Sequence, residues 1–490
     1  MATYYVATTG SNSNNGSTGS PWKTINYAID PARNLQPGDT VIVRNGTYNT
    51  SSSLKPPSGS AAGGKITIMA ENRGGAKVVA TSNIGFEITN KHHVRIEGFD
   101  VQAPGGCIIT SMSYDIDVVN NICHGAGNQG IYAGRSEFIL IEGNEVYDCA
   151  DGGASRNSIS VQLCQLASGD AARSGYRLII RKNLVHNNGI TDSSTDSGGI
   201  MVDQDETNPA VNWTPKAWDY PRLIENNICH HNGGPGIILL QVTANMTALV
   251  RCNTSVYNGQ KPNAGLWSAE LVCRAGGTTW VNNIAVSDPS IADSRGVSTI
   301  SRVPAPVVYT NVKWYNNIIF KSGSSNPVYY NTGNSGNVPL NGSNGNVIGV
   351  DPKLVNIAAG NFQLLAGSPA IDTGTSSQNG APTEDFAGTA RTGTVDIGAY
   401  DAGGVTSTGD MSPNSSVAAA IYTRGSVADM TVVALGGNFV QRSIRNANTP
   451  SNWVGDTDNA VQDSFAEVTK TTPTATSGSM VAIFSMKPSV

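Results

Sequence analysis

The sequence predicts an all-β fold, a parallel β-helix in which the short strands of successive coils stack on one another. Two recurring phrases lead to this prediction. The first is an apolar pair, two polar residues ending in Asn, and another apolar pair; the second is a small residue followed by alternating apolar and polar positions. The gaps between copies vary in length, which is typical of a solenoid with short strands and variable loops.

The first phrase predicts a ladder of stacked asparagines at one bend of the coil. It recurs with its asparagine at these positions, the fifth copy being weaker: Asn121, Asn144, Asn183, Asn227, Asn253, Asn283 and Asn317. Asparagine enters the left-handed backbone region readily and can pair its side-chain amide with the backbone of neighbouring turns. We therefore interpret the series as structural rather than catalytic.

The second phrase predicts a half-buried strand in each coil. Its copies are GIYAG, SISVQ, GIMVDQ, GIILLQ and GLWSAE, which begin at residues 130, 158, 199, 236 and 265. Alternation predicts these inward residues: Ile131, Ile159, Ile200, Ile237 and Leu266. It predicts these outward residues: Tyr132, Ser160, Met201, Ile238 and Trp267, followed by Gln162, Asp203, Leu240 and Ala269.

The ends of the chain differ from its middle. Residues 21–30 predict a short amphipathic helix that caps the first coil, because a solenoid needs its open end covered. We expect the β-helix over residues 1–402 and a linker at 403–416, where Gly and Ser are frequent. Residues 417–490 alternate again and predict a small β-rich domain for attachment or oligomerisation.

Composition excludes several classes of protein. Only 14% of residues are charged and the net charge is −5, whereas a nucleic-acid binder shows clustered Lys and Arg. No apolar run reaches the roughly 20 residues of a membrane span, and the first residues lack the pattern of a signal peptide. Seven cysteines in 490 residues predict no disulfide framework. The following five lie in apolar runs and predict buried free thiols: Cys107, Cys123, Cys149, Cys229 and Cys252.

Both ends of the β-helix resemble a known group of proteins. The opening YYVATTGSNSNNGSTGSPWKTINYAI, the motif SPAIDTG at 368–374 and the motif DFAGTARTGTVDIGAYD at 385–401 carry the resemblance. The chain is similar to pectate-lyase-like right-handed parallel β-helix proteins acting on polysaccharides, either secreted bacterial enzymes with exchangeable C-terminal anchors or phage tailspike depolymerases. The sequence lacks the paired-Arg signature of the best-known pectate lyases and the Asp-Pro-His-Glu motif of alginate epimerases.

The resemblance implies a polysaccharide substrate and an extracellular or virion-tail location. It implies a homotrimer for a tailspike and a monomer for a secreted enzyme. The fold also hosts hydrolases, lyases and pure binders, so it leaves the reaction open.

Insertions predict the position of a binding cleft. The longest gaps between asparagines are those from Asn144 to Asn183 and from Asn183 to Asn227. Their extra length falls at 164–177, 187–198 and 204–222. Because long loops on a rigid scaffold commonly form binding sites, we expect the cleft over the strand GIMVDQ.

Hydrolysis is the first hypothesis for this cleft. Asp203 is predicted to face outward, and Glu270 ends a predicted strand two coils away. Two coils correspond to about 10 Å, from which two carboxyl groups can close to the separation used by glycosidases. Asp203 and Glu270 are the predicted catalytic pair, with Asp205 as the substitute.

Calcium-assisted β-elimination on a uronate polymer is the second hypothesis. Carboxylates are the ligands that Ca²⁺ prefers. The candidate ligands are Asp196, Asp203, Asp205 and Glu206, and Lys216 or Arg222 would supply or assist the base. Hydrolysis would need no cofactor.

Aromatic and polar side chains around the cleft predict sugar contacts under either chemistry, because aromatic rings placed outside a core can stack on the apolar faces of sugars. The predicted contacts are Trp213, Trp218, Tyr220, Trp267, Tyr132, Gln162, Lys216 and Arg222. A non-catalytic glycan-binding or adhesion solenoid, such as a tail fibre, would keep the aromatic residues and need no carboxylate pair. We interpret His186, His230, His231 and Asp151, which border the same coils, first as turn or loop residues.

Overall fold

The fold was determined as a computed structural model, which divides the chain into two compact units, 1–404 and 405–490. In the first unit it describes residues 1–81, 83–152, 157–164, 167–170, 172–191, 197–204, 220–261, 269–298, 310–324, 328–329 and 339–402. In the second unit it describes four short strands.

The coils of the first unit are built from strands on three faces, which we call A, B and C. In each central coil the chain passes from face A through a tight turn to face C, then through a connection to face B, and bends back to face A. Face A contains β1 (Thr3–Val6), β2 (Thr40–Val43), β4 (Ile66–Ala70), β7 (His92–Glu97), β10 (Tyr114–Val119), β13 (Glu137–Glu142), β16 (Leu178–Arg181), β19 (Arg222–Glu225) and β26 (Lys313–Tyr315).

Face B carries the second sequence phrase. It contains β6 (Ile84–Thr89), β9 (Gly106–Ser111), β12 (Ile131–Gly134), β15 (Ile159–Gln162), β18 (Ile200–Gln204), β25 (Arg295–Ser298) and β28 (Val328–Tyr329). The long strands β21 (Ile237–Arg251) and β23 (Ala269–Val281) run through both face B and face A and join the two into one hydrogen-bonded sheet.

Face C forms a separate sheet of short strands. It contains β3 (Gly46–Thr50), β5 (Ala76–Ala80), β8 (Asp100–Gln102), β11 (Ile122–His124), β14 (Glu145–Tyr147), β17 (Leu184–His186), β20 (Ile228–His230), β22 (Thr254–Val256), β24 (Ile284–Ser287), β27 (Ile318–Lys321) and β29 (Val347–Ile348). Neighbouring strands on all three faces pair in parallel, as in β11 with β14 and β12 with β15. The predicted parallel β-helix is confirmed.

Inward side chains of the three faces form one hydrophobic core. The following residues, predicted to point inward on face B, are fully buried in it: Ile131, Ile159, Ile200 and Ile237. Two indole rings, those of Trp280 and Trp314, stack at 4.9 Å near the C-terminal end of this core. All seven cysteines are buried and free, as predicted for five of them.

The predicted asparagine ladder lies at the turn from face A to face C. Each side-chain oxygen accepts the backbone N–H of the ladder asparagine one coil earlier, for example Asn144 N to Asn183 Oδ1 at 3.0 Å and Asn183 N to Asn227 Oδ1 at 3.1 Å. Asn346 extends the predicted series by one coil. The residue in the left-handed region is the one before the ladder asparagine, such as Lys182 with φ 55°. The ladder asparagine itself is therefore free to bond along the stack.

The ends of the β-helix are simpler than predicted. The helix expected over 21–30 is the single turn α1 (Ile25–Ala28), in which Thr24 accepts the N–H of Tyr27. Trp22 and Ile25 belong to the hydrophobic core. Within the described residues, short 3-10 turns lie at Pro31–Arg33, Gly342–Asn344, Ile357–Ala359 and Ser377–Asn379.

The sequence motifs near residue 400 form a strap along the ladder turn. After the hairpin of β30 (Leu354–Asn356) and β31 (Asn361–Leu364), the chain runs back over earlier coils. Asn282 donates to the carbonyl of Thr375, and Asn226 donates to the carbonyl of Glu384. These bonds satisfy side chains in the turn, so the strap covers this edge of the β-helix.

The second unit contains two antiparallel strand pairs. These are β32 (Val440–Arg442) with β33 (Val454–Asp456) and β34 (Phe465–Ala466) with β35 (Phe484–Ser485). The attachment or oligomerisation role of residues 417–490 and the linker at 403–416 stay predictions. Within the described parts of the chain, no helix is long and apolar enough to cross a membrane.

Candidate functional site

Strand register on face B decides which outward side chains lie side by side. Consecutive coils pair these residues: Gln162, Asp203, Leu240 and Arg274. A second outward row runs beside it: Tyr132, Ser160, Met201, Ile238 and Val272. Residues in one row are about 4.8 Å apart from coil to coil.

Asp203 lies where the sequence predicted it. Its side chain is outward and partly exposed, near the end of β18. The connection from face B to face A is long after β15, at 163–177, and after β18, at 205–221, of which only residues 220 and 221 are described. Arg135 and Ser136 alone make the corresponding bend after β12. Asp203 therefore precedes the longer connection by two residues.

Glu270 does not lie on the exposed face, so the predicted pairing with Asp203 is wrong. Leu271, not Leu266, pairs with Ile237 and occupies the inward position. Glu270 is the second residue of β23, and its side chain is fully buried. Arg274, which is also largely buried, is the residue two coils from Asp203 in the same row.

Glu270 instead ends a second asparagine ladder that the sequence analysis missed. Asn188, Asn232 and Asn258 stack at the start of the connection from face C to face B, with Asn232 N donating to Asn258 Oδ1 at 3.1 Å. The last of them, Asn258, donates its backbone N–H to Glu270 Oε1 at 3.0 Å and its side-chain amide to Oε2 at 2.6 Å. Each of these asparagines follows a member of the first ladder by five residues, which is the signal that could have revealed the second.

Burial raises the pKa of Glu270 to about 8, although the hydrogen bonds from Asn258 and Ser255 favour the charged form. The unfolded chain releases this proton near its ordinary pKa of about 4.3. Because the folded state binds this proton more tightly, the raised pKa stabilises the folded protein. The stabilisation is complete below the unfolded-state pKa of about 4.3, and it is lost as the pH rises toward 8.

We expect Glu270→Gln to remove this pH dependence and to leave polymer cleavage unchanged. Wild-type unfolding free energy should fall with a slope of up to about 1.4 kcal/mol per pH unit between roughly pH 5 and 8, and the variant should lack this component. Urea unfolding across that pH range measures the effect. Loss of cleavage in a folded Glu270→Gln protein would instead support the catalytic role predicted from sequence.

Arg222 is not displayed to a polymer as the sequence predicted, whereas Tyr220 is partly exposed and also contacts the core. Arg222 is the first residue of β19, pairs with the inward residue Leu178, and is fully buried. Tyr220 packs against the core, and the guanidinium of Arg177 lies 3.5 Å from the centre of its ring. The insertion before β19 therefore ends by packing inward.

Tyr132 and Gln162 are partly exposed on the outer side of face B, as predicted for sugar contacts. Farther along the stack, Met201 and Ile238 are buried in a small apolar cluster on this outer side. Strand register confirms that both side chains point outward, as predicted. Both are nevertheless buried, so they are not exposed on the surface. The accessible part of face B thus lies toward the N-terminal coils, next to Asp203.

Seven of the predicted site residues lie outside the described residues. They are Asp196, Asp205, Glu206, Trp213, Lys216, Trp218 and Trp267. Their roles as calcium ligands, base or sugar contacts stay predictions. Among the residues that the structure describes, no group of three or more His, Cys, Asp or Glu side chains is placed to hold a metal ion.

His186 and His230 lie on face C, away from the Asp203 row. The rings of His186 and His230 stack at 4.9 Å, and Tyr147 stacks on His186 at 5.4 Å. His230 belongs to β20 and not to a turn, and its burial lowers its pKa to about 3. His231 is the turn residue, with φ 51°.

Asp151 is an exposed loop residue. Its Oδ1 accepts hydrogen bonds from the backbone and hydroxyl of Thr191, both at 3.0 Å. It therefore ties together two successive connections from face C to face B.

Comparison with known proteins agrees with this architecture. The profile of a family described as Pel9A-like, right handed beta helix region, matches residues 4–159. The solved structure of pectate lyase Pel9A is similar to this chain with a TM-score of 0.57 and 18% identity, over 82% of this chain and 96% of that one. The chain therefore shares the right-handed parallel β-helix fold of pectate lyase Pel9A.

Two further solved structures are similar to this chain at lower scores. An alginate lyase from a Paenibacillus species has a TM-score of 0.40 and 14% identity, over 71% of this chain and 98% of that one. The Dettilon tailspike protein has a TM-score of 0.44 and 11% identity, over 71% of this chain and 69% of that one. No curated protein matches the β-helix protein by sequence. Identities this low describe the fold and leave substrate and reaction open.

Proposed function

We propose that this protein binds a polysaccharide along the outer side of face B and cleaves it beside Asp203. The observation that carries the proposal is the position of that carboxylate, outward and partly exposed near the end of β18, on the part of the chain where the connections after β15 and β18 are long. Long connections on a rigid solenoid form the walls of binding sites. The amide of Gln162, one coil earlier in the same row, offers a polar contact for sugar hydroxyls.

Two considerations favour β-elimination over hydrolysis. Pel9A, whose fold this chain shares, is a pectate lyase by its description. Glu270, the predicted second carboxylate of a hydrolytic pair, is buried in a ladder and pairs with Asn258. Without Glu270, hydrolysis would depend on Asp203 and Asp205. It stays the second candidate function, since these two acids belong to one short segment of the chain.

For β-elimination, Asp203 would hold Ca²⁺ together with Asp196, Asp205 and Glu206. Asp203 has the carboxylate oxygens that this ion prefers. The bound ion would neutralise the uronate carboxylate and so acidify the neighbouring proton. Lys216 is the proposed base, because the buried Arg222 side chain does not reach the outer side of face B.

The assay that tests this function compares acidic and neutral polysaccharides as substrates. We expect the acidic polymer to yield a product with the ultraviolet absorbance of an unsaturated uronate, and we expect chelation of Ca²⁺ to abolish it. New reducing ends without that absorbance would establish hydrolysis. Binding without any cleavage would identify a non-catalytic glycan-binding solenoid and overturn the proposal.

The same proposal places the protein outside the cell or on a virion tail. A trimer would favour a tailspike and a monomer a secreted enzyme. Measurement of molecular mass in solution distinguishes the two.

A further inference from the structure

An alternating stack of arginine and aromatic side chains lies along the bend from face B to face A. The guanidinium of Arg177 lies 3.5 Å from the ring centre of Tyr220 and 4.6 Å from that of Phe138. The guanidinium of Arg173 also lies over the Phe138 ring, 3.6 Å from its centre. Cation–π contacts of this kind are strongest where water is excluded, as it is around the fully buried Arg177.

The stack joins the bend 163–177 to Tyr220, which lies two residues before β19. Arg173 and Arg177 belong to the bend 163–177, and Tyr220 belongs to the end of the bend 205–221. Arg173 also reaches back two coils, where its Nη1 contacts Asp115 Oδ1 at 2.7 Å. One continuous set of contacts therefore connects both proposed walls to the rigid face A.

Glu137 is the anchor of this arrangement. It is fully buried, and Arg177 donates to its Oε2 while Ser168 donates its backbone N–H to Oε1 at 2.5 Å. Arg177 also donates to the carbonyls of Asp170 and Arg173, both at 2.9 Å. The Glu137–Arg177 pair thus holds the described parts of the bend at several points, although the bend itself contains little regular structure.

The anchored bend begins next to the proposed reaction site. Its first residue, 163, directly follows Gln162, which is the row neighbour of Asp203. Cys164 is buried at this start of the bend, and burial raises the pKa of its thiol to about 11.

We propose that Glu137 and Arg177 are positioning residues which set the wall at 163–177 beside the polymer, an inference that rests on the proposed function. Neither side chain reaches solvent, so neither contacts the substrate. Their effect is exerted through the wall and through Tyr220. A displaced wall should weaken polymer binding while the reacting groups on face B keep their geometry.

The test compares Glu137→Gln with Glu142→Gln. Both residues belong to β13 and pair with an arginine, but Glu142 pairs with Arg181 on the outer side of face A, away from the bend. We expect Glu137→Gln to raise KM for the polymer about tenfold or more, because small misplacements of positioning groups have effects of this size. Glu142→Gln should leave KM unchanged, and kcat should stay within about twofold in both variants.

A second variant separates positioning from loss of fold. Phe138→Leu removes both arginine–ring contacts and leaves every charge paired, so it should raise KM in the same direction as Glu137→Gln. Trypsin provides a readout that does not need activity. We expect cleavage after Arg173 to be slow in wild type and much faster in Glu137→Gln and Phe138→Leu, as located by mass spectrometry.

The outcomes distinguish this inference from the proposed function. If the wild-type protein cleaves no polymer, the proposed function is wrong. Faster proteolysis of the variants would even then establish that Glu137 and Arg177 anchor the bend. Active variants with unchanged KM and unchanged proteolysis would overturn the inference. A fall in kcat with unchanged KM would also overturn it, because that result would place Glu137 in the reaction itself.

Discussion

Asp203→Asn is expected to lower the rate of polymer cleavage by about 100-fold or more, because a positioned acid–base or charge-bearing group contributes at least that much. The substitution keeps the size of the side chain and removes its negative charge. Asp203 is partly exposed near a strand end, so the fold should be retained. Product formation at saturating polymer and unfolding by urea measure the two effects.

Glu87→Gln is the matched control for that substitution. Glu87 is also an outward carboxylate on face B, in β6, and it pairs with Lys55 at 3.0 Å. It lies four coils from β18, so it should not affect cleavage. Full activity in a folded Asp203→Asn protein would exclude both proposed reactions at this position and direct attention to another face.

Asn227→Ala should destabilise the protein by about 3 kcal/mol, because it leaves buried polar groups without partners. The Asn227 amide donates to the carbonyl of Ile180 and to Asn253, and its oxygen accepts the backbone N–H of Asn183. No water can replace these bonds inside the closed turn. Denaturant unfolding, followed by far-ultraviolet circular dichroism, measures the change.

The control for the ladder is Asn72→Ala. Asn72 is exposed and donates to the side chain of Asn45 at 3.1 Å. Its replacement should change stability by no more than about 0.5 kcal/mol. Equal effects of the two substitutions would show that the ladder bonds have no special role in holding the coils together.

Much of the fold could be predicted because its repeat is local. An asparagine at one turn bonds to the next coil whatever the length of the loop between them, as from Asn183 to Asn227. Inward positions such as Ile200 and Ile237 follow from strand alternation within a few residues. These signals need no knowledge of distant parts of the chain.

The site was harder to predict because it depends on register between coils. The copy GLWSAE looks like a strand, yet the structure pairs Leu271 with Ile237 and moves Glu270 into the core. Glu270 alternates with the inward Leu271 and so has outward parity, but it lies at the start of β23, where Asn258 and Ser255 bond its buried carboxylate. The same reason applies to Arg222, whose charge suggested the surface and whose partner Leu178 is an inward residue.

The sequence by itself determined the β-helix, its first asparagine ladder, the buried thiols and the outward position of Asp203. Each depends on residue type and on spacing within one coil, which the chain carries as a local pattern. Only the tertiary structure decided that Glu270 ends a second ladder and that Glu137 and Arg177 anchor the bend beside Asp203. Those contacts join coils that are 12 to 40 residues apart in sequence, and insertions of irregular length set which residues meet.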